Sequence, residues 1–160
     1  MKRALFVLLL SLSLVAVIWA EDDPSFTFRR TIWGMGMEEV KKGEESELTS
    51  ETEDSLLYKG KVVGLAADIA YRFTDGKLNA ASYVLFLEPT DCITTFYFIK
   101  ELLSAKYGKP GLESGWDDVL ISGWETQSTR TVLLYGGKQA GLLRITYVAK
   151  HVAAAYATEL

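Results

Sequence analysis

Asp75-Gly76 sits between two apolar-rich runs, "VVGLAADIAYRFT" and "KLNAASYVLFLE", and this dipeptide constrains the fold more than any other stretch. A two-residue β-hairpin turn needs positive φ at both central residues, which Asp-Gly tolerates well. Upstream, Val63, Leu65, Ala67, Ile69, Tyr71 and Phe73 alternate with smaller or polar residues. That period of two belongs to a strand with one buried face. Lys59-Gly60 reads as a second tight turn, so the stretch from Leu56 to Glu88 is expected to form three antiparallel strands. In the third strand both faces are fairly apolar, and the sequence does not decide which one turns inward.

The segment "PTDCITTFYFIKELLSAKYGKP" changes period. Phe96, Ile99, Leu103 and Tyr107 form a stripe at helical spacing, predicting a helix over Asp91–Lys106. Thr90 or Asp91 is placed to cap its start, and Gly108 and Pro110 to stop it. Three more strands are expected at about Trp116–Glu125, Thr129–Tyr135 and Gln139–Ala149, the last two joined by Gly136-Gly137. The hairpins "YRFTDGKLNAASYV" and "LLYGGKQAGLLRITYV" echo each other, with an aromatic before a glycine turn, a lysine after it and Tyr-Val further on. A short helix near Met37–Gly43 precedes the first set of strands. The expectation is an α+β fold with two helix-plus-three-strand halves, about 28–88 and 90–150. They would share a largely antiparallel sheet with the helices packed on one face.

The helix start lies in "FRRTIWGMGMEEV", Phe28 to Val40. With Gly36 as N-cap, Met35 and Val40 form a hydrophobic staple, and Glu38 and Glu39 face the positive end of the helix dipole. A glycine-rich phosphate loop is excluded. Gly34-Met35-Gly36 matches only half of that motif, Glu39 stands at its third glycine, and two acids repel phosphate.

The first twenty residues have the order of a secretory signal: Lys2 and Arg3, then the uncharged run Ala4–Ala20, then "EDDP". Cleavage near Ala20 is expected to leave a single α+β domain over residues 21–160, periplasmic or secreted. The processed chain would carry 15 basic against 21 acidic residues, a net charge of −6. That balance argues against nucleic acid, whose phosphates require Lys and Arg, and against docking on an anionic membrane surface. Cys92 is the only cysteine, so no internal disulfide forms and no lipid-bearing cysteine follows the apolar run.

Phe28, Arg29, Trp33, Gly34, Met35, Glu39 and Val40, with the later "AKYGKP", resemble a group of small exported bacterial proteins of uncharacterised function. There a serine stands where this chain has Gly36. The helix-plus-hairpin halves are similar in arrangement to the β-lactamase-inhibitor protein and to small outer-membrane-assembly lipoproteins. Neither resemblance implies catalytic residues.

Chemistry-bearing residues are sparse. His151, the only histidine, lies in the alanine-rich tail "KHVAAAYATEL", which offers a general base neither a reliable orienting partner nor a pocket. One histidine and one cysteine do not make a typical zinc site. The run "EESELTSETED", residues 44–54, holds six acids in eleven residues but lacks the central glycine of a calcium loop, and reads as a solvated loop or frayed helix end. Cys92 reads as a small buried hydrophobe. A strand would send Asp117 and Asp118 to opposite faces, leaving no paired-carboxylate site. Trp116 and Trp124 are eight residues apart, an even spacing that places both on one face of a single strand. There they either pack the core or, uncovered, contact sugar or peptide. These features favour a non-enzymatic exported domain, without cofactor or metal, that binds an envelope protein or peptide at Trp116 and Trp124. The alternative is a small apolar-ligand carrier with a pocket between sheet and helices, and the third reading is a hydrolase.

Overall fold

The computed structural model describes residues 27–116, 118–136 and 141–150. The expected signal segment, Asp117, Gly137 and His151 lie outside these residues. In chain order the elements are α1 (Met37–Gly43), β1 (Glu47–Glu51), β2 (Ser55–Val62), β3 (Leu65–Thr74), β4 (Lys77–Phe86), α2 (Pro89–Tyr107), β5 (Leu112–Trp116), β6 (Val119–Glu125), β7 (Thr129–Gly136) and β8 (Leu142–Ala149). The strands form one antiparallel sheet in the order β1-β2-β3-β4-β8-β7-β6-β5.

The fold is α+β with an antiparallel sheet, as expected, but each helix is followed by four strands instead of three. The additional strands are the two sheet edges. β1 lies inside the acidic run read as a loop or helix end, and all its residues are exposed, so no burial pattern marks it. The expected strand Trp116–Glu125 takes in only the last residue of β5, and no glycine between Trp116 and Val119 marks the break before β6.

One turn also moves. Asp75-Gly76 joins β3 to β4 with φ of 50° and 70°, the paired positive values anticipated for it. Lys59-Gly60, however, lies inside β2, and the turn falls at Val63-Gly64, with φ of 46° and 83°. A β-branched residue at positive φ is strained, which is why Val63 gives no turn signal. Gly60 serves close packing instead. A Cβ there would stand 2.5 Å from Ile69 Cδ1 and 2.8 Å from Ser46 Oγ.

One face of the sheet builds the core. Tyr58, Ile69, Tyr71, Tyr83, Leu85, Leu133, Tyr135, Leu143, Ile145 and Tyr147 project from it. Cys92, Phe96, Ile99 and Leu103 of α2 close over β6, β7 and β8, and Val40 of α1 joins the same cluster. The α2 stripe is as anticipated. Its N-cap is Glu88, with Pro89 at the first helical position, where a missing N–H costs nothing and φ is already set. Gly36 is the N-cap of α1, and its N–H donates to Glu39 Oε2 at 2.8 Å.

Candidate functional site

Two features of the described residues are candidates: a cleft on the helical side and the open face of the sheet. The cleft starts from a tight turn. Thr31 N–H donates to Phe28 O at 2.9 Å and Phe28 N–H returns to Thr31 O at 3.3 Å, with Arg29 at φ 50° between them. This turn aims Arg29 at Glu44, which ends α1. Arg29 Nε meets Glu44 Oε2 at 2.8 Å and Nη2 meets Oε1 at 2.9 Å, a side-on bidentate pair. Ser46 N–H donates to Oε1 at 2.9 Å, and the Tyr71 hydroxyl donates to Oε2.

The Glu44 side chain is 2 % exposed, yet its two oxygens accept four hydrogen bonds. Burial acts to raise its pKa. Tyr71, Ser46 and Arg29 outweigh burial and hold the carboxylate below its ordinary value. The same contact pushes Tyr71 up, through burial first and the adjacent Glu44 second. Arg29 is held above its ordinary range. Burial opposes this, and the Tyr83 and Glu44 contacts overcome it.

Around this network lies a cleft of about 400 Å³, between the 28–31 turn, the C-terminal ends of both helices and the sheet. Tyr71, Tyr83 and Tyr147 line it from β3, β4 and β8. The Phe28 ring packs against all three, with centroids 5.4, 4.9 and 5.1 Å away. Arg30, Glu45, Lys106 and Tyr107 complete the lining. Chemically the cleft is a mixed polar and aromatic recess. Glu44, saturated with donors, is not placed to take a proton from a substrate.

Alternation in each strand assigns the opposite sheet face. Strand register lines up Trp116, Val119, Gly136, Leu142 and Phe86 in one row. The next row holds Ser114, Ile121, Leu134, Arg144 and Val84, and a third holds Leu112, Gly123, Val132, Thr146 and Ser82. The interior of this patch is half-buried by its own neighbours, while Phe86 is 68 %, Trp116 56 % and Leu112 52 % exposed. The core-forming side chains of both helices lie on the other side.

The two tryptophans do not share a face. The expected strand is broken between Trp116 and Val119, which pair with each other, and Val119 and Trp124 are five residues apart, so the parity reverses. Trp124 is 2 % exposed in the core, and its indole N–H donates to Gly108 O at 3.0 Å, fastening the end of α2. Cys92 is buried, its thiol turned toward Glu88 O at 3.4 Å, and burial, then Asp91 and Glu88, push its pKa up. Asp118 is exposed in the β5–β6 turn instead of on a strand. Sequence reasoning missed the Arg29–Glu44–Tyr71 network. Nothing in a run of six acids distinguishes the one that turns inward. No described helix is long and apolar enough to cross a membrane. Comparison with known protein families, curated proteins and solved structures finds no match.

Proposed function

We propose that this chain is a non-enzymatic domain that binds a protein or peptide in the cell envelope on the open face of its sheet. The observation that carries this reading is the apolar row from Phe86 through Leu142 and Val119 to Trp116. Large apolar side chains on a solvated face, interrupted by Gly136 and Arg144 and flanked by Arg72 and by the Lys59–Asp68 and Arg130–Glu125 ion pairs, have the make-up of a binding patch. Trp116, an amphipathic ring on that face, is suited to anchor such a contact. Trp124 is a core residue and has no part in it.

The cleft supports a second reading, a carrier of small molecules, because it lies between sheet and helices. Its charged lining suits a polar or amphipathic ligand better than an apolar one.

A photo-crosslinking side chain at position 86 tests the first reading in the cells that make the protein, with position 53 as control. The expected result is a discrete protein adduct at 86 and none at 53. Binding of that captured partner should weaken at least about tenfold in Phe86→Asp, the loss of one well-packed aromatic anchor. Equal adducts at both positions, or unchanged binding in Phe86→Asp, would reject the reading.

A further inference from the structure

The two edges of the sheet are built differently. β1 carries Glu47 and Glu51, its register slips between Leu48 and Ser50, and the Thr49 hydroxyl turns back to Leu57 O at 3.0 Å. Charge and a bulge are the usual guards of an exposed edge. β5, Leu-Glu-Ser-Gly-Trp, has no bulge and carries no charge on its open face. Its one acid, Glu113, lies on the inner face and pairs with Lys100 of α2. Leu112 and Trp116 stand exposed on the open face on either side of Ser114.

We propose that β5 is the docking edge for a second copy of this chain. The two β5 strands pair antiparallel about Ser114, joining two eight-stranded sheets into one. A twofold interface requires the strand to match its own reversal, and β5 does so. About Ser114, Leu112 faces Trp116 of the second copy on the open side. On the inner side Glu113 faces Gly115, so the two carboxylates are not set opposite each other. Cross-strand apolar pairs of this kind stabilise sheet pairing. A foreign strand would not require β5 to be complementary to itself, and this selects the second copy as the occupant. The pairing also carries the apolar row of Trp116, Val119, Leu142 and Phe86 up to the seam from both sides.

Sedimentation equilibrium of the purified, cell-processed protein tests the pairing. The wild type should show the mass of two chains at micromolar concentration. Leu112→Glu and Trp116→Lys should each fall to the mass of one. Mixing these two variants should restore the double mass, because reversed pairing sets Glu at 112 against Lys at 116 in one contact and keeps Leu against Trp in the other. Circular dichroism checks that each variant is folded. Ser114→Cys supplies a readout that does not depend on weakening the interface. It lies at the twofold centre and should oxidise to a covalent dimer, whereas Glu113→Cys, opposite Gly115, should not. A single-chain mass for folded wild type overturns the proposal, including the case in which β5 is instead filled by a foreign peptide. A double mass that neither charge variant changes, or that mixing does not restore, overturns it as well.

Discussion

Two buried tyrosines on neighbouring strands show how much a single partner matters. The Tyr71 hydroxyl donates to Glu44, whereas the Tyr58 hydroxyl, equally buried, has no hydrogen-bond partner among the described residues. A bond to a charged acceptor contributes about 1.5–3 kcal/mol, and an unsatisfied buried group costs about 1–3 kcal/mol. Tyr71→Phe should therefore destabilise by about 1.5–3 kcal/mol, and Tyr58→Phe should be neutral or stabilising in urea unfolding. Equal losses would mean that both substitutions act through packing. The same network fixes a pH dependence. The Glu44 pKa is lowered on folding, so its contribution is present above the ordinary carboxylate value and is lost as pH falls through the lowered folded value. The Tyr71 pKa is raised, so its contribution is present below about pH 10, the ordinary phenol value, and is lost as pH rises beyond that toward the raised value. Glu44→Gln should flatten the acid arm of a plot of urea midpoint against pH, and Tyr71→Phe the alkaline arm. An acid arm of unchanged slope in Glu44→Gln would show that other carboxylates set it.

At the scale of elements, the start of α1 gives a graded test. Gly36 has φ −74° and ψ 160°, a backbone that serine adopts without strain, and an added Cβ would meet only Glu39 Oε2 at 3.4 Å. Glu39 already accepts from the Gly36 N–H, which is half of a capping box. Gly36→Ser should supply the other half and stabilise by a few tenths of a kcal/mol, because glycine is itself an acceptable cap. A loss above about 1 kcal/mol in urea unfolding would contradict this. This helix start was legible in the sequence because capping and staple residues act within one turn of chain. Asp75-Gly76 and the Phe96–Ile99–Leu103 stripe were legible for the same reason. What escaped the sequence depends on distant neighbours. Gly60 looks like a turn until Ile69 and Ser46 are known to press on it. β1 becomes a strand by pairing with β2, without burying a side chain. The faces of Trp116 and Trp124 depend on a strand break between Trp116 and Val119 that no glycine marks. Glu44 differs from Glu45 only once Arg29 and Tyr71 are folded around it, so this part of the candidate site was hidden.

Over the whole molecule, the last strands of the two halves lie side by side. β4 and β8 form the seam, with Tyr83 against Ile145 and Leu85 against Leu143. The N-terminal segment ties the halves again. Phe28 packs on Tyr71, Tyr83 and Tyr147, and the Trp33 indole N–H donates to Thr129 Oγ1 on β7 at 2.9 Å. The buried apolar side chains of both halves form one cluster, so neither half has a core of its own to retain when the other opens. Such a chain unfolds in one cooperative step. Phe96 lies in α2 over the second half and touches neither β2 nor β3 through its helix's main contacts, which are to β6, β7 and β8. Phe96→Ala should nevertheless destabilise the entire domain by about 3–5 kcal/mol, the usual cost of truncating a buried aromatic. Native-state hydrogen exchange resolves the question strand by strand. The slowest amides of β2 and of β7 should lose protection by the same free energy in the variant. Accelerated exchange in β7 with β2 unchanged would show two separable units and would break the argument for a shared core.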